Sequence, residues 1–284
     1  MSLDAAARSA IERALSSRVV GASVMGGGCI AAVLRVSLAD GRAVVVKRGQ
    51  GLELEAWMLR WLAERTTAPV PAVLHADDAL LILERLDGDS AGLSAAAESQ
   101  LGAIVADLHA IGSEAFGFER DTVIGSLPQP NPRRQSWCSF FRDDRLLHMA
   151  REASGAGRLP ARTRARIDAL AARLERWIDD GATPSLIHGD LWGGNILSRG
   201  DRVIGLIDPA LYFADPEIEL AFMTLFGSVG DAFFRSYAER RPMRPGFFEV
   251  RRDIYNLYPL LVHARLFGGS YVAQVERTLD RFGV

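Results

Sequence analysis

The sequence predicts a two-lobed α+β fold, with a small antiparallel-sheet lobe over residues 1–87 and a mainly helical lobe over residues 88–284. Three observations predict it. Residues 32–38 and 43–47 are strand-like and meet at Asp40-Gly41, a strong two-residue hairpin signal. A third apolar run, 79–86, reads as a buried strand and ends at the polar turn Asp87-Gly88-Asp89-Ser90. After that turn the composition shifts to alanine-rich segments with helical spacing.

In chain order, residues 4–17 predict a short helix, with Asp4 as N-cap and Ile11 and Leu15 four apart. Residues 19–30 lead into the first strand pair through Gly26-Gly27-Gly28-Cys29-Ile30. This turn approximates the glycine-rich loop of kinases, with alanine at the third position of the pattern. Taken alone it also fits a flexible hairpin. Residues 52–64 carry Leu52, Leu54, Trp57, Met58, Trp61 and Leu62 at helical spacing, with Glu55 in the first turn. Pro69-Val70-Pro71-Ala72-Val73 is a stiff extended connector. Further helices are predicted over 93–111, 137–152, 162–179, 215–226, 231–240, 247–267 and 272–282, with a Gly/Pro-broken loop over 116–132. His109, at the end of one helix, reads as a packed, hydrogen-bonded histidine, and Cys138, beside Trp137 and Phe140, as core.

Composition narrows the function classes. A net charge of −2 gives no electrostatic case for nucleic acid or a membrane surface. No apolar run approaches the roughly 18–20 residues of a membrane span. The N-terminus has no basic-then-apolar leader pattern, and two cysteines make no disulfide framework. A cytoplasmic protein, monomeric or weakly dimeric, is the expectation. Of the 33 basic residues only Lys47, at the end of the second hairpin strand, is lysine. A lysine is a compact point charge where an arginine is a broad planar fork, so this exception asks for a reason.

The reason lies downstream. In His188-Gly189-Asp190-Leu191-Trp192-Gly193-Gly194-Asn195 an acid precedes a carboxamide by five residues, and Asp208 follows the apolar run 203–207. An acid that takes a proton, then an Asn and an Asp that hold a hard cation, make half of a phosphoryl-transfer site. Lys47, steadied by Glu55, supplies the phosphate-contacting half. Backbone groups near Glu84 to Leu86 are placed to read an adenine edge. Each residue has a plainer reading: Glu55 is favoured by a helix dipole, and Asp215, Glu217 and Glu219 are explained as acids at a helix N-terminus rather than as a cation site. Gly189 stands where protein kinases carry the arginine of His-Arg-Asp, no Ala-Pro-Glu follows Asp208, and a helix predicted near Asp215 leaves little chain for an activation loop. A small-molecule acceptor is expected.

These motifs, with Ala106-Asp107-Leu108-His109, Ile124 to Asn131, Asp208-Pro209-Ala210, Glu217 to Ala221 and Phe226-Gly227, resemble the fructosamine kinase family over nearly the whole chain. The His-Gly-Asp run marks the wider aminoglycoside-phosphotransferase-like branch of the protein-kinase-like fold; Trp192 and the triple-glycine turn narrow it. The resemblance implies ATP- and Mg²⁺-dependent phosphorylation of a sugar hydroxyl, usually O3, on ketoamines such as ribulosamines, erythrulosamines or fructosamines, in deglycation repair. It implies Asp190 as base, Asn195 and Asp208 as metal ligands, Lys47 with Glu55 as the phosphate-orienting pair, and Trp192 as a wall for the sugar. Gly26, Gly27, Gly28, Cys29, Ile30, Glu84 and Leu86 complete the expected nucleotide site. Cys29 is either a redox-sensitive thiol beside the phosphates or a small apolar filler. Two other readings remain: another kinase of that branch acting on an aminoglycoside, choline or homoserine, and a catalytically inactive nucleotide-binding scaffold.

Overall fold

Residues 3–25 and 32–284 are described by a computed structural model. The chain begins with α1 (Ala5–Leu15), capped by the Asp4 carboxylate on the Ala7 amide. Three antiparallel strands follow, β1 (Val19–Val24), β2 (Ala32–Leu38) and β3 (Ala43–Arg48), and then α2 (Leu52–Arg65). Strands β4 (Val73–Ala76) and β5 (Leu80–Glu84) complete a five-stranded sheet in the order β1-β2-β3-β5-β4. The Asp40-Gly41 hairpin forms as the sequence predicts. The connector 69–73 was expected to be merely extended, but its end pairs with β5 as an edge strand, Val73 opposite Leu83.

Strand alternation decides which way Lys47 points. Successive β3 side chains face opposite sides of the sheet. Val44 and Val46 join Ile11 and Leu15 of α1 on one face. Val45 faces the other side, where Leu81 and Leu83 pack on Leu52, Ala56 and Leu59 of α2. Lys47, two residues on and paired with Leu81, therefore projects toward α2.

The helical lobe opens with α3 (Ala95–His109), capped by Ser94. The expected loop 116–132 contains a small hairpin, β6 (Thr122–Ile124) and β7 (Leu127–Gln129). Next come α4 (Trp137–Phe140), a π-helical turn (Phe141–Leu146), α5 (Leu147–Gly155) and α6 (Ala161–Ala171), which stops eight residues before the predicted end. Strands β8 (Ser185–Ile187), β9 (Ile196–Arg199), β10 (Arg202–Leu206) and β11 (Tyr212–Ala214) carry the loops of the site. The chain closes with α7 (Glu217–Leu225), α8 (Asp231–Arg240), a second π-helical turn (Phe247–Arg251), α9 (Arg252–Tyr255), α10 (Leu257–Phe267) and α11 (Ser270–Arg281). The single predicted helix 247–267 is thus three segments. Cys138 and His109 are buried in this lobe, as expected.

One continuous core runs from Met58, Trp61 and Leu62 of α2 into the helical lobe, where Trp61 meets Phe118 and Phe213 edge-on. The Leu206 amide also donates to Pro69 O across the lobes. Helix α2 is therefore seated on both lobes, which fixes Glu55 relative to the loops below. Among the described residues no helix is long and apolar enough to cross a membrane.

Candidate active site

Lys47 is buried and its Nζ donates to Glu55 Oε1 at 2.6 Å and to Asp208 Oδ1. Burial alone would lower this lysine, but the charges of Glu55 and Asp208 outweigh it and hold the ammonium above its usual range. Burial pushes the Glu55 carboxyl up, against the pull of Lys47. Asp208 is the more open partner, with 44% of its side chain exposed. Its backbone is left-handed, at φ +58°. That conformation is unusual for a residue with a side chain and concentrates at functional turns.

Below this pair lies the loop between β8 and β9. Gly189 has φ +86°, and a Cβ there would lie 2.0 Å from Ala210 O. Only glycine lets the loop 188–190 lie this close to the Asp208-Pro209-Ala210 turn. The two segments are also tied by the Ala210 amide on His188 O at 2.8 Å. A 3₁₀ turn, Gly193–Asn195, brings the buried Asn195 back to Asp190, where its Nδ2 donates to the backbone O at 2.8 Å and to Oδ2 at 2.9 Å. Burial, and then the charge of Asp208, raise the Asp190 carboxyl well above the ordinary range, while Asn195 pulls the other way.

Beneath the loop, Glu217 and Glu219 stand in the first turn of α7 and Asp215 just before it, its Oδ1 accepting the Glu217 amide at 3.0 Å, as expected of acids at a helix N-terminus. The sequence does not show that all three are also buried and paired with distant residues. Asp215 accepts from Arg244 and Tyr255, and Glu217 from Arg244 and Arg251. Glu219 accepts the Gly189 amide at 2.7 Å, the His188 amide at 3.1 Å and His109 Nε2 at 3.0 Å. Burial opposes ionisation of Glu219, but these hydrogen bonds win and hold its carboxyl below the usual range. Burial holds the His109 imidazole below its ordinary value, and its two ring nitrogens meet Glu219 Oε2 at 3.0 Å and the Tyr237 hydroxyl at 2.9 Å. Polar spacing on a helix could not reveal these ties to Arg244, Arg251, Tyr255, His109 and the loop amides, each at least 27 residues away in sequence.

Beside Asp190 opens a narrow, mainly apolar cavity lined by Ile124, Tyr212, Phe222, Tyr258 and His263. Trp192 does not line it and reaches its lining residues Phe222 and His263 through Phe226. Its ring covers Gly194, where a Cβ would come within 2.4 Å of the indole, and meets Phe226 edge-on at 6.0 Å. Phe226 in turn packs on His263 at 5.0 Å.

The structure therefore brings Lys47, Glu55, Asp208, Asp190 and Asn195 together. Glu84 ends β5 with an exposed side chain that accepts the Ala72 amide. Leu86 packs over Gly205 of β10, and its amide has no backbone partner among the described residues. Gly26, Gly27, Gly28, Cys29 and Ile30 lie outside the described residues, and so does the question of the Cys29 thiol.

A family model described as fructosamine kinase matches residues 4–283. A protein named probable ketoamine kinase, from Synechocystis sp., is 37% identical over 82% of this chain and 78% of its own length. A chloroplastic protein-ribulosamine 3-kinase from Arabidopsis thaliana is 32% identical over 91% of this chain and 80% of its own. A crystal structure assigned to fructosamine-3-kinase, from Thermobifida fusca, superposes with a TM-score of 0.84 at 31% identity, covering 96% of this chain and 98% of that one. Sequence, fold and length agree, and the chain belongs to the fructosamine kinase family.

Proposed function

We propose that this chain is an ATP-dependent ketoamine kinase, phosphorylating a sugar hydroxyl (O3) of ribulosamines, erythrulosamines or fructosamines in deglycation repair. The observation that carries this reading is the meeting of Lys47, Glu55 and Asp208 with Asp190 and Asn195 in a member of the fructosamine kinase family.

Lys47 contacts the α- and β-phosphates of ATP, and Glu55 aims it. Phosphate oxygens replace Asp208 as its second partner, so the lysine stays paired throughout. Leu86 and the backbone near Glu84 receive the adenine edge. The acceptor enters the cavity beside Asp190 with its hydroxyl facing that carboxylate, and Trp192 acts on the sugar only through Phe226, on which it packs. That carboxylate takes the proton as the hydroxyl oxygen bonds to the γ-phosphorus and the bond to the β-phosphate oxygen breaks, leaving ADP. A raised carboxyl suits a general base, whose best pKa lies near the working pH. Asn195 holds Asp190 in register.

The donor set fits Mg²⁺. Asp208 offers a half-exposed carboxylate, and Asn195 has both amide contacts on Asp190, leaving its carbonyl oxygen as a hard donor. Among the described residues no group of three or more His, Cys, Asp or Glu is arranged to hold a metal. An ion held by few protein oxygens, with waters and substrate phosphates completing its shell, is the Mg²⁺ pattern. When bound, it neutralises developing phosphate charge.

An ATP-consumption screen over ribulosamine, erythrulosamine, fructosamine and aminoglycoside acceptors tests the reading. Turnover on ketoamines is expected, and turnover confined to aminoglycosides overturns it. Asp190→Asn should lower kcat roughly 10²–10⁴-fold while nucleotide binding persists; persistent transfer would remove Asp190 as base.

A further inference from the structure

The hairpin β6–β7 takes no part in the steps above, yet one side chain of it touches both halves of the site. We propose that Gln129 is a positioning residue that couples the acceptor cavity to the Asp208-Pro209-Ala210 turn. The proposal rests on the reading of Asp190 and Asp208 given above.

Gln129 is fully buried, and its amide is saturated. Its Nε2 donates to Thr122 Oγ1 at 2.9 Å and to Ala210 O at 3.0 Å, and its Oε1 accepts from the Tyr258 hydroxyl at 2.7 Å. Only a carboxamide does all of this: a glutamate loses the donors, a lysine or arginine loses the acceptor, and a methionine loses both. Tyr258 lines the cavity beside Asp190, and so does Ile124 from the same hairpin. At the other end, Ala210 O is the atom that presses on Gly189, and the Ala210 amide holds His188 O. With no room at Gly189, a displacement of Ala210 is passed directly to residues 188–190.

The hairpin itself is braced from behind. The buried Arg145 guanidinium donates to Pro130 O at 2.6 Å and to Asn131 Oδ1 at 2.5 Å, and lies 3.9 Å over the Tyr212 ring. Thr122 Oγ1 donates to Leu211 O, pinning the next residue of the turn. A bracket fixed on both sides transmits movement instead of absorbing it. An acceptor that seats Tyr258 thereby sets Ala210, and Ala210 sets the depth of the loop that carries Asp190.

The consequence is a separation of kinetic constants. Gln129→Met should lower kcat roughly 10–100-fold, the size of effect a misplacement of about 1 Å can produce. It should also raise the acceptor KM roughly 3–10-fold and leave the ATP Kd within about twofold. Tyr258→Phe should raise the acceptor KM by a similar factor, and the double variant should be no worse than Gln129→Met alone, since both break one connection. If Gln129→Met does not fold, Gln129→Glu serves, because it keeps the Tyr258 acceptor and removes both donors.

Hydrogen exchange gives a readout that needs no turnover: the Gly189 and Ala210 amides should exchange on the order of tenfold faster in the variant than in the parent. Unchanged exchange in a folded variant overturns the proposal. So do fully additive losses in the double variant, or an ATP Kd that weakens in step with kcat. A parent protein inactive on ketoamines would sink the functional reading, and the exchange experiment would still decide the role of Gln129.

Discussion

Lys47 and Arg145 are both buried cations, and they are held in opposite ways. Lys47 faces two carboxylates, one of them half-exposed. Arg145 has no carboxylate partner among the described residues; carbonyl oxygens hold it between the rings of Phe140 and Tyr212. The difference concerns exchange. An ion pair with an open partner can trade that partner for an incoming anion at little cost, because charge stays matched at every stage. Neutral acceptors and aromatic faces that are themselves part of the core offer nothing to trade. Burial of charge therefore does not by itself mark a site; a replaceable partner does.

The comparison can be broken at either end. Lys47→Met should lower kcat/KM roughly 10²–10³-fold, as for loss of one charged contact to the transferring group. It should also abolish the rise in melting temperature that ATP gives the parent protein. Arg145→Met should keep that ATP-induced rise but cost about 3 kcal/mol in urea unfolding, since it strands buried carbonyl acceptors. If Arg145→Met lost the ATP response while Lys47→Met retained it, the distinction would be reversed.

A smaller effect tests burial without charge. His109 and His188 are fully buried, and burial holds both imidazoles below their ordinary value. The unfolded chain then takes up protons that the folded chain refuses. Stability is complete above about pH 6.5 and is lost as pH falls below it, until the depressed folded values are reached. The raised Glu55 and Asp190 carboxyls act with the opposite sign in this window, so the histidine contribution is read by difference: between pH 7.5 and 5.5 the unfolding free energy of a His188→Gln variant should fall less than the parent's, by about 1 kcal/mol. No difference between the two would mean that His188 accepts its proton in place.

Much of the site was legible because its parts are local. The Asp40-Gly41 turn, the β3 lysine, and the Asp190, Asn195 and Asp208 spacing are short-range patterns, and each landed where strand alternation or loop length put it. The buttresses were not legible. Strands of three residues, one containing Pro128, fall below the length at which period-two alternation can be read. Glu217 and Glu219 resemble surface acids until Arg244, Arg251 and the Gly189 amide arrive from distant segments. The π-helical turns that deliver Arg145 and Arg251 leave no mark on a pattern already read as helix.

Gly189 carries a last consequence. In protein kinases with an arginine at this position, a side chain is available through which a phosphate on a neighbouring segment can be sensed. Here the carbonyl of Ala210 occupies the space where even a methyl group would begin. A phosphate on a neighbouring segment finds no side chain at residue 189 to bind, and the loop takes its position from the Ala210 turn packed against it.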